Sequence, residues 1–222
     1  VVNDIAASSG GALTILESFY RYVRDSGGDH EWVFLLGSDL LEETESIRTV
    51  VLTEVKGSWL RRLAFDLVSG RRLIRSLKPD VIFSLQNTYT YGLACPQVVY
   101  VHQPLPFQRA KHFSLLRRDE RSLAIYQHVI GAVIKQSIRR ADHVIVQTQW
   151  MRDAILDQVR VASNRVTRVL PDLEDLSPYK RKGPLDTAAF FYPTSSTLYK
   201  NNECVYAACR LLGERGVHDF TV

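Results

Sequence analysis

At 222 residues the chain has room for one large domain or for one and a half smaller ones. A hydrophobic share of 45% is ordinary for a globular fold, no apolar run reaches the ~20 residues of a membrane span, and no signal peptide shows. The net charge of +4 suits an anionic ligand or an anionic membrane surface and is too weak to argue for nucleic acid.

The opening stretch reads strand, glycine loop, helix. Val1 to Ile5 is mostly apolar, Gly10-Gly11 ends a loop of small residues, and Leu13, Leu16, Phe19, Tyr20 and Val23 recur at helical spacing. Glycines there let backbone approach a ligand, and a helix N-terminus suits an anion. An ordinary glycine turn before a helix is the plainer alternative. Val1 already stands inside the apparent strand without an initiator Met, which predicts that these residues belong to a longer protein. Gly27-Gly28 marks a turn. Glu31 to Gly37 and Arg48 to Val55 read as strands, separated by an acidic connection. Ser58 is a candidate N-cap for a helix carrying Leu60, Leu63, Leu67, Leu73, Ile74 and Leu77, with a break offered by Gly70 and a stop at Lys78-Pro79.

Asp80 to Leu85 reads as a buried strand followed by the polar and aromatic run from Gln86 to Tyr91. Gln97 to His102 is another strand, ending in His102-Gln103-Pro104. A long helix is expected over Phe113 to Arg139, a strand over Asp142 to Thr148, a helix over Gln149 to Val159, and a strand over Arg165 to Pro171. Strands that are apolar along their whole length and alternate with helices predict an α/β fold: a Rossmann-like parallel sheet with helices on both faces. Ligands of such sheets bind beyond the strands' C-terminal ends. Gly10-Gly11, Gln86-Asn87 and His102 all fall there.

Asp172 to Asp186 carries charges, two prolines and a glycine, and reads as a linker. It divides an N-terminal domain over 1–171 from the start of a second Rossmann-like domain over 187–222. That second part reads as a strand (Thr187 to Tyr192), a polar loop, a helix (Asn201 to Glu214) and the opening of another strand in HDFTV. The three cysteines form no Cys-x-x-Cys pair and no disulfide framework, which fits a reducing, cytoplasmic setting. His30, His112, His128, His143 and His218 show no metal spacing, so no metal site is expected.

Three stretches together resemble the family-four retaining glycosyltransferases of GT-B architecture. They are the opening strand with Gly10-Gly11 and its helix; ADHVIVQTQWMRDAI (Ala141 to Ile155) with NRVTRVLPDLED (Asn164 to Asp175); and FFYPTSSTLYKNNECVYAACRLL (Phe190 to Leu212). The resemblance implies an acceptor-binding domain followed by a truncated donor domain. It implies a nucleotide-sugar donor, a glycan or lipid-linked acceptor, retention at the anomeric carbon, and no metal or other cofactor. Lys200 matches the family lysine that contacts the donor diphosphate, whereas Ser195 stands where the usual arginine partner would be. The family's paired-glutamate motif would lie past Val222.

On that reading Lys200 and the helix behind it stabilise charge on the departing diphosphate. The imidazole of His102 hydrogen-bonds the donor sugar or the acceptor hydroxyl. Gly10 and Gly11 turn N–H groups towards phosphate or acceptor, and Gln86, Asn87 and Ser195 line the binding cleft. Each has a plainer alternative: an exposed loop lysine, a structural histidine, loop capping by Gln86 and Asn87. The basic and apolar run from Arg109 to Arg140 fits either contact with an anionic membrane or a packed helix with a solvated basic face. A non-catalytic Rossmann-like binding module is the alternative function. A dehydrogenase is weaker, because Ser8-Ser9-Gly10-Gly11 does not supply Gly-x-Gly-x-x-Gly.

Overall fold

In the computed structural model, residues 1–26, 28–171, 183 and 188–222 are described. The chain divides into two compact units, Val1–Asp172 and Leu173–Val222. Gly27 of the expected turn and all of the expected 172–186 linker except Gly183 lie outside the described residues, as does Thr187.

The first unit is built on a seven-stranded sheet. Its strands are β1 (Val2–Asp4), β2 (Trp32–Leu36), β3 (Ile47–Val51), β4 (Ile82–Ser84), β5 (Gln97–Val101), β6 (His143–Val146) and β7 (Val166–Arg168). They lie in the order β3-β2-β1-β4-β5-β6-β7, and every neighbouring pair is parallel. This is the α/β, Rossmann-like sheet that the alternation of strands and helices predicts. The order reverses direction at β1, so the crevice beyond the ends of β1 and β4 is the topological switch point where such sheets take ligands.

The period of two along each strand distributes the core over both faces. Phe34 and Leu36 of β2 pack in one cluster with Val2, Leu16, Tyr20 and Val23, the last three from helix α1 (Gly10–Ser26). Val33 and Leu35 pack in another with Ile5, Phe65, Ile74 and Ile82. Val99, Val101, Val144 and Val146 join Ile134 and Ile138 of one helix and Met151, Ile155 and Val159 of the next in a third. Burying each such side chain contributes roughly 1.5–3 kcal/mol, so these clusters fix the strand ends from which the polar residues below project.

Helix α2 (Thr53–Lys56) begins where β3 was expected to continue. Leu52 N–H still donates to Leu36 carbonyl at 2.7 Å, but beyond it the chain turns into i→i−4 bonding, Lys56 to Leu52. The strand expected over Arg48 to Val55 therefore stops at Val51. Helix α3 (Trp59–Ala64) starts on Ser58, whose hydroxyl accepts from Arg61 N–H at 3.2 Å. A π-helical turn, Phe65–Ser69, links it to α4 (Gly70–Ser76). Gly70 is buried under the Phe65 ring, and a Cβ there would meet a ring carbon at 2.6 Å.

The long helix begins later than its apolar spacing predicts. It comprises α5 (Arg121–Ala124), a π-helical turn (Ile125–Ile130) and α6 (Gly131–Arg140). Residues 113–120 form a loop instead. Glu120, buried, accepts from Ser114 N–H at 2.9 Å and pairs with Lys111 and Arg117, which folds the loop back on itself. Helix α7 (Gln149–Val159) is capped by Thr148, whose hydroxyl accepts from Met151 N–H.

In the second unit, helix α8 (Asn202–Glu214) forms as expected. The strands expected over Thr187 to Tyr192 and in HDFTV reduce to a single parallel bridge between Ala189 and Thr221. Phe190 and Phe191 are 59% and 91% exposed, so this stretch has no second layer of described residues to pack against.

Candidate functional site

The ends of β1 and β4 are tied together by one carboxylate. Asp66 sits in the π-helical turn, buried. It accepts from Asn3 Nδ2 at 3.3 Å, from Gln86 Nε2 at 3.2 and 3.1 Å, and from the hydroxyl of Thr88. Gln86 reaches on to the loop after β1, where its Oε1 accepts from Ala6 N–H at 3.2 Å. Gln97 of β5 holds the far end of the 88–90 loop, accepting from Thr90 N–H at 3.0 Å and donating to its carbonyl at 2.7 Å.

Burial pushes the Asp66 carboxyl up to about 7, against the opposing pull of hydrogen bonds from Thr88, Asn3 and Gln86. Asp4, at the end of β1, is also buried and also pushed up to about 7, again by burial, with a backbone bond from Ala7 opposing. Neither carboxylate has an ion-pair partner among the described residues.

Asn87 takes the left-handed conformation at φ 70°, which Asn tolerates better than most side chains. Its Oδ1 accepts from the backbone N–H groups of His102 at 2.9 Å and Gln103 at 3.1 Å. That fixes Nδ2 as the donor to His102 Nε2, at 3.4 Å. By this hydrogen-bond assignment the neutral imidazole carries its proton on Nδ1. That atom is buried and without a partner, and burial lowers the pKa of the ring. Burial thus favours the neutral imidazole.

These groups surround one cavity of about 130 Å³, enough for several waters or part of a sugar ring and too small for a whole nucleotide. Asp4, Asp66, Gln86, Asn87, Thr88 and His102 supply its polar lining, and Trp59, Leu63, Tyr126 and Ile130 an apolar wall. Arg62 is the cation at its edge. A mixed carboxylate, amide and aromatic lining is the chemistry that recognises hydroxyl groups.

The sequence brought Gln86, Asn87 and His102 to this place, and the structure groups all three. Ala12, rather than Gly10 or Gly11, is the α1 residue on the cavity wall. Gly10 has φ +61°, so the turn into α1 requires it, whereas a Cβ on Gly11 would meet nothing within 4 Å. Asp4, Asp66 and Trp59 were missed. A signal existed: Asp66 is an acid at helical spacing from Leu63, Gly70 and Leu73, on the buried face of its helix.

Lys200 and Ser195 belong to the second unit, and both are exposed. Lys200 ends a 3₁₀ turn (Leu198–Lys200), its ammonium 5.6 Å from the Tyr199 ring centroid. Asn201, at φ 54°, then turns the chain into α8. Ser195 hydroxyl contacts that of Thr197 at 2.8 Å, and its carbonyl accepts from Asn202 Nδ2 at 2.8 Å.

The model of Glycosyltransferase Family 4 matches residues 9–171, most of the chain. The chain belongs to glycosyltransferase family 4. The family match takes in the Gly10-Gly11 loop, Asp66, the Gln86-Asn87 segment and His102, and stops short of Ser195 and Lys200. Among solved structures, a lipopolysaccharide outer core galactosyltransferase, WaaB, in its apo form aligns over 78% of this chain at 14% identity, with a TM-score of 0.41. This chain covers 45% of that protein, less than half its length. No curated protein matches.

Proposed function

We propose that the chain is the acceptor-side domain, with the beginning of the donor domain, of a retaining glycosyltransferase that moves a sugar from a nucleotide-sugar to an acceptor hydroxyl. The observation that carries this reading is the polar cavity at the switch point of a family-4 sheet, with neutral His102 beside two buried carboxylates. The imidazole of His102 hydrogen-bonds a sugar or acceptor oxygen. Asp66 is a positioning residue that holds Gln86 and Thr88 in place. Lys200 and the N-terminus of α8 neutralise the departing diphosphate, so that no metal is required. The acceptor is a glycan or a lipid-linked glycan at the inner face of a membrane. Leu116, 92% exposed between Leu115 and the arginines at 117 and 118, supports peripheral contact there.

A thermal-shift series of UDP-, GDP- and ADP-sugars against the full-length protein tests this reading. One nucleotide series should stabilise it, and transfer to an acceptor should follow without added metal. No stabilisation by any of the three would overturn it. The 222 residues alone should turn over almost no radiolabelled donor, and full turnover by them would contradict the division into acceptor and donor parts.

The second reading, a non-catalytic binding module, is favoured by Ser195, an exposed serine where the resemblance calls for arginine. A Glu, seven residues and a second Glu beyond Val222 would decide for the enzyme, and the lack of both for the module.

A further inference from the structure

We propose a second, separate ligand site in the first unit: a cavity that binds a phosphate-bearing group. It lies on the other side of the α5–α6 helix. Tyr126, Ile130 and Val133 face the cavity described above, whereas Gln127, His128, Gly131 and Lys135 line this one. Its volume is about 490 Å³, ample for a phosphomonoester or a diphosphate. Pro106 forms part of the wall at Gly131, where a Cβ would stand 2.9 Å from the proline ring.

The ligand's chemistry follows from which polar groups here are already engaged. Gln127 accepts from Phe113 N–H and donates to Lys111 carbonyl, each at 2.9 Å. Gln108 bonds both backbone polar groups of Lys111. Gln158 donates to Phe107 carbonyl at 2.6 Å and accepts from Lys135 at 3.1 Å. His128 directs Nε2 at Phe113 carbonyl, 3.3 Å away. The amides are therefore satisfied internally.

What remains is cationic or donating. Lys135 has no carboxylate partner among the described residues; besides Gln158 its ammonium has only the Phe107 ring, 5.5 Å away. Arg109 is bound to Asp157 at 2.6 Å through one nitrogen of its fork. The His112 ring stacks on that of His128 at 6.1 Å between centroids and 17° between planes. No carboxylate lines the space. Burial, and repulsion from Arg109 and Arg139, make the Lys135 charge costly, and an anion in the cavity would offset both. A free phosphate compound and a phosphate headgroup present the same chemistry.

The test is calorimetric titration of the 222-residue chain with inorganic pyrophosphate at fixed ionic strength, beside sedimentation with phosphatidylcholine vesicles with and without phosphatidic acid. Saturable pyrophosphate binding should weaken about tenfold or more in Lys135→Gln, the loss of at least one charge-assisted bond. It should survive in Lys135→Arg, which also shows that the site still folds. Lys111→Gln, outside the cavity and paired with Glu120, should leave it unchanged. Binding confined to phosphatidic acid vesicles and lost in Lys135→Gln assigns the site to a lipid headgroup. Binding to neither probe overturns the proposal. So does binding to either that Lys135→Gln leaves intact; these outcomes leave sugar transfer untouched.

Discussion

The two residues expected to act on the sugar donor, His102 and Lys200, sit in unlike surroundings. His102 belongs to a frame in which side chains from β1, the 86–90 loop and the π-helical turn bond one another across long stretches of sequence. Lys200 lies in a segment held by bonds between residues at most eight apart, with every residue from 191 to 201 exposed. On the proposed reading the difference is one of function as well as packing. A group that must meet one particular oxygen needs its partners fixed, whereas a point charge opposite a diphosphate needs only to be close.

If that contrast is right, damage to the frame is severe and damage to the loop is slight. Asp66→Leu strands three donors, two of them on the buried Asn3 and Gln86, and urea unfolding should lose about 3 kcal/mol or more. A change under about 1 kcal/mol would mean that Asp66 does not hold the strand ends. Asn87→Ala loses the bonds to His102 and Gln103 and places an alanine at φ 70°, with an expected cost of about 2 kcal/mol. Gly70→Ala forces a methyl against the Phe65 ring and should cost about 1–3 kcal/mol by the same measurement. Lys200→Gln should change stability by no more than about 0.5 kcal/mol, while weakening any nucleotide-sugar binding by the full-length protein. A large loss of stability there would erase the contrast.

The pH dependence sharpens it further. The carboxyl of Asp66 rises from its ordinary value of 3.8 to about 7 on folding. The folded state then holds the proton more tightly, so this group's contribution to stability is full below pH ~4 and is lost as pH rises towards 7. The difference in stability between the parent chain and Asp66→Asn should therefore become less favourable to the parent from pH 4 to pH 7. A flat difference would show that the carboxyl is not perturbed.

The sheet was legible because most of its strands are apolar runs alternating with helices, and Ser58 announces its helix by the hydroxyl at the N-cap; Thr148, which caps α7, reads in the sequence as the end of a strand. The 113–120 loop was not, since Phe113, Leu115 and Leu116 occur at spacings that also suit a helix. Only Phe113 is buried, while Leu116 points into solvent. What decides there is Glu120, whose backbone and ion-pair contacts lie within the loop and leave no trace in periodicity. Likewise His102 and Asn87 could be placed by their strand ends. Helical spacing marks Asp66 as an acid on a buried face but not its role, because its partners Asn3 and Thr88 lie 63 and 22 residues away and meet it only once the sheet has formed.

The central claim is that His102, whose neutral form burial favours, acts on a sugar or acceptor oxygen. Sugar transfer by the full-length protein carrying His102→Ala measures it directly. The account predicts a fall in kcat/KM of about tenfold to a hundredfold with the nucleotide-sugar thermal shift retained. Unchanged kcat/KM would contradict it.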